Sequence, residues 1–198
     1  MVNPNKIRIL DNMKDTKINN VFTLGVREPQ PNDKRVSYSQ YTMYANCPHQ
    51  WKLNYMDGHR TFDPSIHLVF GTAMHETLQE WLDVLYNKSP KEATELDLGK
   101  MLYEGMVTEY KKMREQTGVE FSTPSEMEEF LEDGINILNF VTKNRLDYFN
   151  TRHMKLVAIE LPIYSKAMES HNVYMMGFLD LVFEDTYENK LQIWDIKK

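Results

Sequence analysis

VYMMGFLDLVFEDTYENKLQIWDIKK, residues 173–198, decides how the chain is read. Two runs rich in β-branched and aromatic residues flank a polar turn, Asp185 to Lys190. That pattern predicts strands over 172–184 and 190–197 joined as an antiparallel hairpin. Side chains in a strand alternate with a period of two, so Asp195 and Lys197 share a face. If Glu184 pairs with Leu191, the register sets Asp180 opposite Asp195, with Cβ atoms about 4.5–5.5 Å apart. Two carboxylates at that separation repel unless a cation lies between them. Hard oxygen donors suit Mg²⁺ or Mn²⁺. A lysine two residues past the second aspartate can hold an attacking water and stabilise charge developing on a phosphate.

A D-x-K at a strand end is common by chance, but Asp180 is harder to dismiss. It sits inside MMGFLDLVF, where an unpaired carboxylate is costly to bury. Upstream, KLVAIELPIYS predicts a third strand over 154–165. Glu160 interrupts it on the Leu156/Ala158 face, as a metal-site carboxylate or as an edge glutamate paired with a surface lysine.

The first half reads as helical. Ser37 or Ser39 offers an N-cap for a short helix to about Asn46, and Pro48 restarts one from His49 to about Met56. Ile66, Val69, Phe70, Ala73, Met74, Leu78, Trp81, Leu82 and Leu85 recur at helical spacing, predicting a helix from Ile66 to about Asn87. Further helices are expected over Ala93–Glu115 and from Ser125 to about Phe149. His75 lies at the margin of the apolar stripe, where a histidine is ordinarily a packed boundary residue. Gly71, one turn earlier on that side, would let another element approach closely. His49, His59, His67, His153 and His171 show no ligand spacing. Residues 1–36 contain Pro4, Pro29 and Pro31 and no steady periodicity, so they read as an extended arm. Helices followed by a mainly antiparallel sheet make an α+β fold. The expected organisation is an arm over 1–36 and a domain over 37–198, helical over 37–150 and sheet over 154–198.

Composition narrows the class. The 198 residues are 41% hydrophobic, 12% aromatic and 26% charged, as expected of a globular chain with a substantial core. No apolar run approaches the roughly 20 residues needed to cross a bilayer. The N-terminus has no apolar signal core, so a cytoplasmic location is expected. Cys47 is the single cysteine, which rules out an intrachain disulfide. A net charge of −6 argues against a surface that grips nucleic acid everywhere, but not against an acidic centre neutralised by metal. Lys34-Arg35, the His49/Lys52/His59/Arg60 stretch and Lys143/Arg145/Arg152/Lys155 are small basic clusters, each by itself ordinary solvated charge. Glu126, Glu128, Glu129, Glu132 and Asp133 crowd one helix start, where they suit the dipole and would repel DNA.

With these residues in view, the chain resembles the RecB-type branch of the PD-(D/E)XK nuclease superfamily, including the small nucleases of tailed phages. YSQYTMYANCPHQWKLNYMDG resembles the family's opening helix, and FGTAMHETLQEWL its G-x-x-x-H helix. Gly177-Phe178-Leu179-Asp180 matches G-x-x-D, and Asp195-Ile196-Lys197 matches D-x-K. The resemblance implies a restriction-endonuclease-like core and Mg²⁺- or Mn²⁺-dependent hydrolysis of DNA, by an exonuclease of phage-type replication, recombination or degradation, alone or beside a helicase. It implies His75, Asp180, Asp195 and the Ile196 carbonyl as metal ligands, Lys197 as the catalytic lysine, and Glu160 at the metal or orienting its water. The family continues with a Q-x-x-x-Y helix and further strands, so the domain is expected to be incomplete after D-x-K. One cysteine cannot hold the iron–sulfur cluster of some relatives. Two other readings stay open: a non-catalytic nucleic-acid-binding module, and an inactive fragment of the same fold.

Overall fold

A computed structural model describes residues 8–9, 29–60, 62–168 and 172–196. These fall into two compact units. One comprises the described residues of 1–61, 157–183 and 191–195; the other comprises those of 62–156, 184–190 and 196–198.

The first unit carries most of a five-stranded sheet: β1 (Arg8–Ile9), β2 (Lys34–Ser37), β3 (Met154–Met168), β4 (Val173–Asp185) and β5 (Lys190–Trp194). The order is β1-β3-β4-β2, and β5 also pairs with β4. β1 runs antiparallel to β3, with Arg8 opposite Ile159 and Ile9 opposite Ala158. β2 runs parallel to β4, from Lys34 opposite Val173 to Ser37 opposite Met176. The four-residue connections from β3 to β4 and from β4 to β5 leave only antiparallel pairing, since a parallel return needs a crossover of a dozen or more residues. The mainly antiparallel α+β arrangement is therefore the one expected. Within and at the end of the stretch read as an extended arm, Arg8–Ile9 and Lys34–Ser37 pair into the sheet. At two and four residues, neither is long enough for alternation to show.

Leaving β2, the chain enters α1 (Tyr38–Asn46) through the N-cap Ser37, whose hydroxyl accepts from the Gln40 N–H at 3.2 Å. Cys47 ends α1 and caps α2 (Pro48–Trp51), which runs into a π-helical turn over Lys52–Met56. Val157, Ala158, Leu161 and Val182 form this unit's buried cluster, with Leu179 against it.

The second unit is a helical packing built on α3 (Ile66–Asn87). α4 (Pro90–Glu95), α5 (Leu98–Thr117) and α6 (Pro124–Lys143) follow, then the single turn α7 (Arg145–Tyr148). One helix was expected over 93–115. The chain breaks it at Leu96, which is extended, because the Asp97 carboxylate caps a new helix through the Lys100 N–H at 3.0 Å. The next helix stops at Lys143 rather than Phe149, at the C-cap Asn144, whose backbone N–H and side-chain amide both donate to the Phe140 carbonyl, at 3.0 and 2.7 Å. α6 opens on a capping box in which Thr123 and Glu126 satisfy each other's backbone N–H. The core joins Val69, Ala73 and Met74 of α3 to Leu102 and Met106 of α5 and Leu138 of α6. Each large side chain buried there contributes about 1.5–3 kcal/mol. A Cβ on Gly105 of α5 would stand 3.2 Å from Ala73 Cβ, so α3 and α5 approach closely on small residues. Among the described residues, no helix is long and apolar enough to cross a membrane.

Candidate metal centre

Glu160 and Asp180 lie on neighbouring strands, each inside an apolar context. Glu160 sits in β3 between Ile159 and Leu161, both about 95% buried, and Asp180 precedes the buried run Leu181-Val182-Phe183 of β4. Both carboxylates are themselves half-buried. A carboxylate held among such neighbours costs free energy unless it is paired.

Glu160 also carries the chain's clearest backbone anomaly. Its φ is +53° in the middle of a strand. A non-glycine residue in the left-handed region costs about 1–2 kcal/mol. The simple alternation of faces is interrupted at that residue, so the side chain is re-aimed relative to a regular strand. Sequence alone carried no sign of this, because glutamate has no preference for positive φ. Strain of this kind persists where the surroundings over-determine it, and such positions cluster at functional sites.

His75 stands on α3, in a stripe that buries Gly71, Met74 and Leu78. Its Nε2 lies 2.9 Å from the Ile196 carbonyl oxygen, a hydrogen bond in which the ring donates when Nε2 carries the proton. Ile196 also packs against the helical core, so the same residue offers both an anchor and a carbonyl oxygen.

Glu160 and Asp180 each offer a carboxylate oxygen, and these oxygens lie within 4.8 Å of each other. Both residues are half-buried, as His75 is on its own helix. Two carboxylates this close can hold a divalent metal ion, and hard oxygen donors suit Mg²⁺ or Mn²⁺ better than a soft ion that prefers thiolates.

The residues singled out from the sequence are thus distributed unevenly. Glu160 and Asp180 come together, and His75 meets the Ile196 carbonyl despite the ordinary packing role its position suggests. Asp195, expected in a strand opposite Asp180, lies one residue beyond the end of β5 and is exposed. The strand ends at Trp194, whose indole N–H donates to Gln192 Oε1 at 3.1 Å. The Ile196 carbonyl meets His75, and Lys197 lies outside the described residues.

A comparison with curated proteins finds no match. A family model, that of the PD-(D/E)XK nuclease superfamily, matches residues 35–198, which spans β2 through the D-x-K motif. Since that match covers most of the sequence, the chain belongs to the PD-(D/E)XK nuclease superfamily.

Proposed function

We propose that the chain is a Mg²⁺- or Mn²⁺-dependent deoxyribonuclease, working as an exonuclease in phage-type DNA replication, recombination or degradation. The observation that carries this reading is the convergence of Glu160 and Asp180 in a member of a nuclease superfamily. The order of the motifs, from the opening helix through G-x-x-x-H and G-x-x-D to D-x-K, supports the narrower assignment.

The residues assigned to the metal are His75, Asp180, Asp195 and the Ile196 carbonyl, with Glu160 beside them. Ligands at right angles on an ion that binds at about 2.1 Å stand about 3.0 Å apart. The 2.9 Å between His75 Nε2 and the Ile196 oxygen is compatible with that spacing. A bound divalent ion supplies Lewis acidity at the phosphoryl group and lowers the pKa of water. Glu160 and Asp180 concentrate negative charge where a phosphodiester must approach, and neutralising that charge makes approach possible. While His75 carries its proton on Nε2, donation to the Ile196 carbonyl fixes the ring, and a bound metal would take the place of that proton. Lys197, two residues after Asp195, is assigned to hold the attacking water and to stabilise charge on the phosphate in the transition state.

The test is cleavage of labelled linear and circular DNA with Mg²⁺, with Mn²⁺ and with EDTA. Metal-dependent loss of linear but not circular DNA is expected, abolished in Asp195→Ala and in Lys197→Ala. Full activity in both variants overturns the assignment. Binding without cleavage under every metal condition would make the chain a non-catalytic DNA-binding module.

A further inference from the structure

We infer that residues 34–60 form a stacking platform for single-stranded nucleic acid. α1, α2 and the π-helical turn contain no buried residue at all. Tyr38, Tyr41 and Tyr44 follow at steps of three on α1 and are 72%, 53% and 52% exposed. Residues three apart are neighbours on a helix surface, so these rings form one stripe. The stripe continues into a set of rings in contact. Tyr44 meets Trp51 edge-on at 5.4 Å between centroids, and Trp51 stacks with Tyr55 at 6.3 Å. The Arg60 guanidinium lies 5.6 Å from the centre of the Tyr55 ring. The π-helical turn that carries Tyr55 is closed by the Asp57 N–H to the Lys52 carbonyl at 3.0 Å. Such turns are rare and occur frequently at functional sites.

Charge selects the occupant. The chain holds 29 acidic residues against 23 basic ones, yet no Asp or Glu occurs from Lys34 to Met56. Lys34, Arg35, Lys52 and Arg60 lie within or just beyond that stretch. Exposed aromatic faces interleaved with cations fit a polyanion that offers flat rings, and each base of a single strand offers one. A duplex keeps its base faces stacked on each other and cannot use the platform. That the polyanion is DNA rests on the nuclease reading above; that the surface stacks bases does not.

The experiment is fluorescence anisotropy of a labelled oligothymidylate with the full chain in EDTA, where no metal-dependent cleavage occurs. Tyr41→Ala and Tyr44→Ala are each expected to weaken binding about tenfold, the loss of one base stack. Tyr41→Phe and Tyr44→Phe keep the ring and are expected to bind as the parent does. A duplex of the same length is expected to bind more weakly. Asp180→Asn is expected to lose cleavage in Mg²⁺ and keep binding in EDTA. Tyrosine-dependent binding in a protein that never cleaves overturns the nuclease reading and leaves this one standing. The inference fails if the parent does not bind the single strand, if the duplex binds as tightly, or if both alanine variants bind like the parent with unchanged circular dichroism. It fails equally if the alanine changes alter sedimentation but not DNA binding, which would make the face a contact between copies of this chain.

Discussion

Two helical stretches, each just over half hydrophobic, behave oppositely. In α3, twelve of 22 residues are buried, Trp81 among the most deeply. From Tyr38 to Met56, with three tyrosines at steps of three and Trp51 and Tyr55 beyond, no residue is. Periodicity marks a face in both stretches but does not say what covers it. In α3 the face is covered by the chain's own core, and its aromatic residues serve stability. In 38–56 the face stays open to solvent, so its aromatic residues contribute little to folding and are available to a ligand.

The most damaging change should therefore be Trp81→Ala, which removes a nearly inaccessible ring in edge contact with Phe149 at 5.7 Å. Urea unfolding should show a loss of about 3–5 kcal/mol. Gly134→Ala comes next. A Cβ there would collide with Leu102 and stand 2.9 Å from Phe70 Cε2 and 3.2 Å from Met74 Cε. Leu102 is wholly inaccessible and has no room to yield. Overpacking of about 1–3 kcal/mol should outweigh the roughly 1 kcal/mol that alanine gains in a helix interior, so the midpoint should fall.

Thr123→Ala removes half of the α6 capping box and should cost about 1 kcal/mol by the same measurement. Glu126 gives that box a pH dependence. The Thr123 N–H, then the Thr123 and Ser122 hydroxyls, hold its carboxyl below the ordinary glutamate range. The folded pKa is the lower one, so this contribution is present above the ordinary value near 4.5 and is lost as pH falls through the depressed one. The stability difference between parent and Thr123→Ala should accordingly shrink in acid. Glu160→Asn separates folding from chemistry. Asparagine tolerates positive φ, so folding stability should hold or rise by up to about 1 kcal/mol while metal affinity falls. Smallest of all, Tyr41→Ala should shift unfolding by no more than about 0.5 kcal/mol. A large loss there would erase the contrast with α3.

Much of this was legible in the residues. The bounds of α3 follow from its apolar spacing and from Ser65, whose hydroxyl caps Leu68 N–H at 3.4 Å. The hairpin follows from β-rich runs around a polar turn, and His75, Glu160 and Asp180 stand out as polar residues interrupting or bordering apolar faces. What stayed hidden is of two kinds. Strands as short as β1 and β2 exist only through their partners, so no local pattern announces them. The left-handed φ of Glu160 is a tertiary demand that overrides local preference. The open face of 38–56 left two traces, its missing acids and its ring spacing, but exposure is what gives them meaning.

Mn²⁺ binding followed by electron paramagnetic resonance tests most directly whether Glu160 and Asp180 hold a metal. The parent should show saturable binding that Mg²⁺ competes away, and Asp180→Asn should bind at least about tenfold more weakly with its fold intact. Parental Mn²⁺ affinity in Asp180→Asn, with unchanged circular dichroism, would contradict the metal centre and the nuclease assignment that rests on it.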